Sequence, residues 1–367
     1  MIGNIGLSNF KCFASQDFPL NNLTVLCGPN ASGKSTVVQA ILLNRLAVLS
    51  RDRKIPLNGP FGLHLGDFES LLSSASDNDD ETVRIRVRWT ATNKSECELR
   101  ATDSPRFAEV VSSSHGDFPP DFVYLAAERI GPRVLQETFS DDRIDSGVGY
   151  AGQYTAEILS LRERERIRAS LHQTTGADTS GAVLLLGAVQ AWMSTLFGPI
   201  EVQTAPNGNA PPSLLFKRPG IAEEWVLSAN TGFGFTYALP IVVAGLLCSE
   251  GSVLIVDSPE AHLHPAAQTA LAKFFCTVAA SGVHVLLETH SDYILDGIRI
   301  ALTSNEVNTL QRDRCTFLSV GISERGERQV FEISIGEDGK PSQWPAGFFD
   351  QQILNMRALI ENARAGE

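Results

Sequence analysis

The sequence predicts an α/β fold with a mixed sheet as its core, and three stretches carry that prediction. Leu23 to Leu26 is a short apolar run that leads into a glycine-rich loop and then a helix-like segment. Val253 to Asp257 and Val283 to Glu288 are two further apolar runs, each ended by a carboxylate. Such runs are typical of buried parallel strands, whose carboxyl ends face the ligand in open α/β sheets.

The chain of 367 residues is long enough for one large domain or two, and its hydrophobic (43%) and charged (20%) fractions are ordinary for a globular protein. The net charge of −12 argues against a broad surface that coats nucleic acid, although it leaves room for a local basic patch. Six scattered cysteines without a C-x-x-C pair favour reduced thiols and a cytoplasmic location. No apolar run reaches about 18 residues and no signal-peptide pattern is present, so we expect no membrane span.

The glycine-rich loop, Gly28 to Ser35, matches G-x-x-x-x-G-K-[ST] between a strand and a helix-like segment. Its two glycines allow the backbone to come close to a ligand, so that successive N–H groups and a helix N-terminus can face phosphate oxygens. Lys34 can reach the β- and γ-phosphates, and Ser35 can ligate Mg²⁺. The loop therefore predicts a phosphate site, a P-loop, whose contacts are Gly28, Asn30, Ala31, Ser32, Gly33, Lys34, Ser35 and Thr36.

The segment from Val83 to Trp89 alternates strictly between apolar residues and arginines. This period predicts an antiparallel strand with Arg84, Arg86 and Arg88 on one face. Two interpretations stay open: the arginines form the solvated face of a half-buried strand, or they form a basic stripe that binds DNA, RNA or an acidic partner.

Another apolar strand is predicted at 122–125, and it runs into a turn that contains Arg129 and Arg133 beside glycine and proline. Arginines at the end of a strand are well placed to approach an anion. A structural salt bridge with Glu128 or Asp141 is an equally good interpretation. Further on, the stretches 157–171 and 182–197 are expected to form two helices.

A polar residue at the end of each later apolar run, Asp257 and His290, is a candidate for the same site. Asp257 is predicted to hold Mg²⁺ directly or through water, and the alternative is an aspartate that caps a turn. Pro265 fits the first turn of a following helix. His290 lies two residues after Glu288, at the end of the second run, where it can sense a γ-phosphate or position a water molecule, and the alternative is a structural histidine.

These pieces, in this order, resemble the nucleotide-binding domain of the ABC/SMC/OLD group of P-loop ATPases over nearly the whole chain. The set is similar to that of bacterial AAA-type ATPases of anti-phage defence operons, with motifs at Gly232-Phe233-Gly234, Pro259 to Pro265, Thr289 to Asp292 and Trp344 to Asp350. The resemblance implies one ABC-type domain over 1–367, with a mixed sheet core, an antiparallel β subdomain and a helical insertion. Its parts are an N-terminal lobe with the P-loop and antiparallel strands (1–130), the helical insertion (131–212), a lobe with the signature, Walker B and switch histidine (213–310), and a small C-terminal region (311–367).

The resemblance also implies a mechanism in which two copies pair head to tail around ATP and Mg²⁺, with a higher oligomer left open. A signature segment from one copy completes the ATP site on the P-loop of the other copy. Asn230, Gly232 and Gly234 occupy the signature position and are expected to contact a γ-phosphate in trans.

One departure from the group concerns the residue after Asp257, which occupies the position of the Walker B aspartate. Many ABC-type ATPases have a glutamate there that polarises the attacking water, whereas this chain has Ser258, which cannot act as a base. Glu260 is the nearest carboxylate, and His290 can help to orient water. We therefore expect slow hydrolysis, with Glu260, His290 and Lys34 as the catalytic residues.

The resemblance favours an ATPase that acts as a sensor or regulator of a separate effector, such as a nuclease, in anti-phage defence. No nuclease centre is expected in this chain, because only a short region without a convincing D-x-D pattern follows His290. An SMC-like DNA-binding clamp in DNA repair or maintenance is the alternative, although the long heptad arms usual for that class are missing. A transporter ATPase subunit fits less well, because the signature is altered.

Overall fold

The computed structural model describes residues 3–75, 81–134, 137–138, 147–172, 183–207, 210–304, 310–323, 328–343 and 351–365, so the Trp344 to Asp350 motif lies outside the described residues. The strands are β1 (Gly3–Phe10), β2 (Phe13–Leu20), β3 (Leu23–Cys27), β4 (Lys54–Pro56), β5 (Thr82–Arg88), β6 (Lys94–Ala101), β7 (Phe107–His115), β8 (Phe122–Leu125), β9 (Glu201–Asn207), β10 (Ala210–Arg218), β11 (Ala222–Leu227), β12 (Val253–Asp257), β13 (His284–Glu288), β14 (Cys315–Ile322) and β15 (Arg328–Ile333). The helices are α1 (Lys34–Leu49), α2 (Thr155–Arg162), α3 (Leu185–Phe197), α4 (Phe233–Leu247), α5 (Pro265–Ala280), α6 (Asp292–Thr303) and α7 (Gln351–Ala365).

The three apolar runs that predicted the fold are neighbours in one mixed sheet, in the order β15-β14-β3-β13-β12-β8. The strands from β14 to β8 are parallel, and β15 pairs antiparallel with β14. Along β12, Val253 and Ile255 face one hydrophobic core, whereas Leu254 and Val256 face the other. Both faces of the sheet are therefore buried, which explains why the sequence shows continuous apolar runs rather than alternation.

The antiparallel subdomain is a second sheet, in the order β2-β1-β5-β6-β7-β4. The predicted alternation in β5 is confirmed, since Val83, Ile85 and Val87 are buried and the arginines between them are exposed. Helix α1 lies between the two sheets, and its side chains Val37 and Ile41 belong to the core that both sheets share. The P-loop at the start of α1 is thus held between two sheets.

The opposite face of the mixed sheet is covered by helices α3, α4 and α5, whose apolar side chains share one core with it. A three-stranded sheet, in the order β11-β10-β9, contributes Val202, Leu214 and Phe216 to that core. The part of the chain that the structure describes contains no helix long and apolar enough to cross a membrane. The α/β class with a mixed sheet core and an antiparallel subdomain is confirmed, while the division into lobes stays a prediction.

The helix expected over 157–171 is wrong in its second half. Helix α2 ends at Arg162, and Ile167 donates its backbone N–H to the carbonyl of Val183 instead of continuing a helix. The periodic apolar residues that suggested one long helix do not share a buried face, because Leu161 is 70% exposed whereas Leu171 is buried. The charge pairs of this stretch add only a few tenths of a kcal/mol each, which is too little to extend the helix alone.

Candidate nucleotide site

The P-loop leaves β3 and enters α1 through two glycines in conformations that other residues rarely adopt. Gly28 has φ +129°, and a Cβ atom there would lie 2.2 Å from the carbonyl oxygen of Val320. Gly33 caps the N-terminus of α1 with φ +114°. The loop therefore brings backbone N–H groups and the positive end of a helix to one place, which is the arrangement that binds phosphate.

Lys34 lies inside this loop with its side chain almost fully buried, at 3% exposure. Its Nζ donates hydrogen bonds to the carbonyl oxygens of Gly28 (3.0 Å) and Pro29 (2.8 Å). Burial lowers the pKa of Lys34, while the carboxylate of Glu288 acts in the opposite direction. The ammonium group is thus fixed at the loop by its neighbours rather than free in solvent.

A cleft of about 370 Å³ opens over the P-loop, within the usual range for ligand sites. Seven of the eight predicted phosphate contacts, Asn30 to Thr36, line it together with Glu288 and His290. Gly28 does not line the cleft, and its carbonyl oxygen accepts a hydrogen bond from Lys34. Four further residues line the cleft, Cys12, Gln39, Glu288 and Arg328, and the last three were not expected there from the sequence.

Asp257 and Glu288 end neighbouring parallel strands and lie directly opposite each other in the register of β12 and β13. Asp257 Oδ1 accepts a hydrogen bond of 2.8 Å from the hydroxyl of Ser258, and burial raises the pKa of Asp257. Glu288 Oε1 accepts a hydrogen bond of 2.6 Å from the hydroxyl of Ser35. Burial, reinforced by the charge of Asp257, raises the pKa of Glu288 to about 7. Glu288, to which the sequence analysis gave no role, is therefore bonded to the predicted metal residue Ser35 and is the cross-strand neighbour of the other, Asp257.

The signal for Glu288 was present in the sequence. Val285, Leu286 and Leu287 are consecutive and all buried, so both faces of this parallel strand are covered. An ionisable residue directly after such a run needs a partner for its buried charge. Because β13 is the parallel neighbour of β12, Glu288 at its carboxyl end lies at the same edge of the sheet as Asp257.

Glu260 holds the segment after β13 in place. Its Oε2 accepts from the hydroxyl of Thr289 (2.8 Å), and its Oε1 accepts from the backbone N–H of His290 (2.8 Å). His290 projects to the surface of the cleft, and its pKa is lowered first by partial burial and then by the charge of Lys34. Glu260 and His290 are thus brought together, with the glutamate bound to the backbone that carries the histidine.

The signature residues lie apart from this cleft. Helix α4 begins at Phe233, with Gly232 as its N-cap, and Asn230 and Gly232 are exposed. An added Cβ at Gly232 would meet no atom within 4 Å. Neither these two residues nor Gly234 lines the P-loop cleft, so the single chain does not bring the two sets together.

Arg129 connects the Walker B turn to the signature helix. It is 3% exposed, its guanidinium donates to the carbonyl oxygens of Asp257 and Ser258, and it lies 5.2 Å from the ring centre of Tyr237. Burial lowers the pKa of Arg129 to about 10. Its hydrogen-bond partners are thus backbone carbonyls, whereas an approach to an anion stays a prediction and a salt bridge with Asp141 lies outside the described residues.

Comparison with known proteins agrees with this arrangement. A family model described as "AAA domain" matches residues 4–174, and one described as "AAA domain, putative AbiEii toxin, Type IV TA system" matches residues 213–296. A crystal structure of the SmcHead bound to the C-winged helix domain of ScpA is 12% identical with a TM-score of 0.58, and covers 92% of this chain and 98% of its own. An Smc head domain with an extended coiled coil, bound to the C-terminal domain of ScpA derived from Pyrococcus furiosus, is 12% identical with a TM-score of 0.56 and covers 99% of each chain. A search of curated proteins found no significant match.

The chain has the ABC/SMC-type P-loop ATPase fold. The resemblance predicted from the ordered motifs is thereby confirmed at the level of the group. An ABC/SMC-type P-loop implies a nucleotide and usually Mg²⁺. The donors at the carboxyl edge of the sheet fit that ion, because Ser35 and Asp257 offer the hard oxygen ligands that Mg²⁺ prefers. The described residues hold no group of three or more His, Cys, Asp or Glu side chains that would bind a metal by themselves.

The arginine face of β5 carries mixed charge in this ABC/SMC-type fold. Arg84 Nη2 lies 3.2 Å from Glu98 Oε1 on β6. Arg86 Nη2 lies 3.9 Å from Asp17 Oδ1 on β2. Arg86 is also cross-strand to Glu96. Of the two interpretations, this pairing favours a solvated strand face, and nucleic-acid binding there stays a prediction.

Proposed function

We propose that the chain binds ATP with Mg²⁺ at the P-loop cleft, hydrolyses it slowly, and dimerises around the nucleotide with a second copy of itself. The observation that carries this proposal is the separation of two complementary half-sites. Lys34, Ser35 and His290 meet at one cleft, whereas Asn230 and Gly232 are exposed away from it. A head-to-tail pair would bring the exposed signature residues of one copy to the P-loop cleft of the other.

Within one copy, Lys34 would stabilise the β- and γ-phosphates, and Ser35 and Asp257 would hold Mg²⁺. His290 lines the same cleft, where it would approach the γ-phosphate and orient the attacking water. Glu260 accepts hydrogen bonds on both oxygens, so we propose that it acts through His290 and is a poor base by itself. Together with Ser258 in place of a glutamate, this supports hydrolysis slow enough for a long-lived ATP-bound state.

Between copies, the N-terminus of α4 would receive the γ-phosphate bound to the partner. Gly232 leaves open space in front of that helix, because no atom lies within 4 Å of an added Cβ. Asn230 and Gly234 flank this position and would contribute further contacts. The N-terminus of this 15-residue helix supplies both the free N–H groups and the favourable dipole.

The dimer would act in the cytoplasm as a sensor or regulator of a separate effector, such as a nuclease, in bacterial anti-phage defence. Two observations support a regulated partner. The solved Smc heads of this fold are bound to domains of another protein, ScpA. The description of one matching family model names a putative AbiEii toxin and a type IV TA system.

The decisive experiment measures the mass of the protein in solution with and without ATP and Mg²⁺. Wild-type chain should shift from monomer to dimer with ATP, and Lys34→Ala should stay monomeric because it loses the phosphate contact. Gly232→Glu should bind ATP but also stay monomeric, because a carboxylate would occupy the place of the partner's γ-phosphate. Gly187→Glu is the matched control, since this exposed glycine of α3 also has no atom within 4 Å of an added Cβ.

Mixing the two defective variants tests the trans arrangement directly. A heterodimer of Lys34→Ala and Gly232→Glu retains one intact composite site, built from the P-loop of the second and the signature of the first. The mixture should therefore dimerise with ATP although neither variant does so alone. A wild-type chain whose mass and melting temperature ignore ATP would refute the proposed function.

A further inference from the structure

We infer that Glu288 is a direct ligand of the Mg²⁺ ion, at a position adjacent to Ser35. The inference rests on the proposed function, because it names a further residue of the same nucleotide site. It starts from a buried carboxylate that has one free oxygen. Glu288 is only 3% exposed, its Oε1 is bonded to Ser35, and its Oε2 has no hydrogen-bond partner within the described residues.

A buried carboxylate oxygen without a partner is costly, and a cation at that point would remove the cost. The nearby negative charge of Asp257 makes a cation at this point still more favourable. Asp257 lies opposite Glu288 in the strand register, so two carboxylates share one edge of the sheet. The ammonium of Lys34 is nearby, but it is already bonded to the carbonyl oxygens of Gly28 and Pro29. A divalent cation between the strand ends would balance both acidic groups.

The spacing of the two bonded oxygens fits this role. Adjacent ligands of octahedral Mg²⁺ lie about 3 Å apart, since each metal–oxygen bond is 2.0–2.1 Å and adjacent bonds are perpendicular. Ser35 Oγ and Glu288 Oε1 are 2.6 Å apart, so a small outward movement would let both contact one ion. Mg²⁺ is commonly held by one or two carboxylates, a few waters and substrate phosphates, and Ser35, Asp257 and Glu288 leave room for the rest.

A purely structural role for Glu288 makes a different prediction. If its task were only to orient the hydroxyl of Ser35, a glutamine would serve nearly as well, because its amide oxygen can accept the same hydrogen bond. A metal ligand, in contrast, needs the negative charge. Glu288→Gln therefore separates the two roles while it keeps the shape of the side chain.

The experiment uses Mn²⁺ as a spectroscopic probe and a non-hydrolysable ATP analogue as the nucleotide. Electron paramagnetic resonance measures free Mn²⁺ in the presence of the protein and the analogue, and a fluorescent analogue measures nucleotide binding with the metal chelated. Glu288→Gln should bind metal-free nucleotide within about twofold of wild type. It should lose at least about tenfold in Mn²⁺ affinity, the scale expected at a metal site. Glu288→Asp should recover part of that loss.

Glu250→Gln is the matched control, because Glu250 is exposed in the turn before β12, at the opposite end of the same strand from Asp257. It should bind Mn²⁺ like wild type. Melting temperatures in a metal-free buffer check that each variant is folded, and Glu288→Gln should melt no lower than wild type since it removes a buried unpartnered charge. Unchanged Mn²⁺ affinity in Glu288→Gln, with nucleotide binding intact, overturns the inference about Glu288 but not the proposed function. Absence of nucleotide binding in the wild-type chain overturns the proposed function.

Discussion

Arg129 Nη1 donates a hydrogen bond of 2.8 Å to the carbonyl oxygen of Asp257, although the two residues are 128 positions apart in the chain. Its other terminal nitrogen, Nη2, donates to the carbonyl oxygen of Ser258 over the same distance. Ser258 has φ +46°, a left-handed conformation that costs a non-glycine residue about 1–2 kcal/mol. The arginine thus fixes the backbone turn that carries the Walker B aspartate.

Replacing Arg129 by methionine should reduce the free energy of unfolding by about 2–4 kcal/mol, because it removes charge-assisted bonds and leaves buried carbonyl oxygens without donors. Urea unfolding measures the change. Arg164→Met is the control, since its side chain is 88% exposed and its change should stay within about 0.5 kcal/mol. Equal effects of the two substitutions would show that Arg129 does not hold the turn.

The two glycines Gly28 and Gly187 should respond in opposite ways to alanine. At Gly28 a Cβ would lie 2.2 Å from the carbonyl oxygen of Val320, so Gly28→Ala should cost about 2–4 kcal/mol of stability and weaken nucleotide binding. Gly187 lies exposed in α3 with open space around it, so Gly187→Ala should stabilise by about 0.5–1 kcal/mol. Thermal melting and a fluorescent ATP analogue test both. A Gly28→Ala chain that binds nucleotide like wild type would contradict the geometry of the loop.

The pH dependence of stability should contain a contribution from His284, which begins β13 beside Trp89. Burial lowers the pKa of His284 below its ordinary value of 6.5. Between the lowered pKa and 6.5 the unfolded chain binds more protons than the folded one, so stability falls as the pH drops below about 6.5. The slope is at most about 1.4 kcal/mol per pH unit for one proton.

His284→Gln should flatten this part of the profile, measured as the free energy of unfolding in urea on both sides of pH 6.5. His64→Gln is the matched control, because it makes the same chemical change at an exposed histidine. A profile that steepens or stays unchanged in His284→Gln would assign the slope to other groups.

The sequence predicted the parts of the site that depend on local patterns. Apolar runs without alternation required strands buried on both faces, and their carboxyl ends placed Asp257 and His290 near the P-loop. What it missed depends on contacts between distant segments. The partners of Arg129 are backbone carbonyls, which no residue pattern marks. The sequence marked Glu288 only as a carboxylate that ends an apolar run, and its neighbours became known when the register placed it beside Asp257 and the fold placed it against Ser35.

The error at 157–171 has the same origin. Alternating arginines and glutamates there imitate a helix surface, but the backbone beyond Arg162 finds a partner in the segment at Val183 and Leu185. A tertiary hydrogen-bonding partner overrides weak local charge pairing, and the sequence shows only the latter.

The bond between Glu260 and Thr289 should appear as a coupling energy. Glu260→Gln retains one acceptor but turns an N–H group towards one of the two donors, and Thr289→Val removes the hydroxyl that donates over 2.8 Å. A double-mutant cycle on the free energy of unfolding should give about 1–2 kcal/mol of coupling. Thr277→Val supplies the control cycle with Glu260→Gln, because the hydroxyl of Thr277 donates to the carbonyl oxygen of Lys273 within α5. The coupling in this control cycle should stay below about 0.5 kcal/mol. Equal coupling in both cycles would mean that Glu260 does not hold Thr289 and His290 in place, and that its carboxylate is free to act as a base.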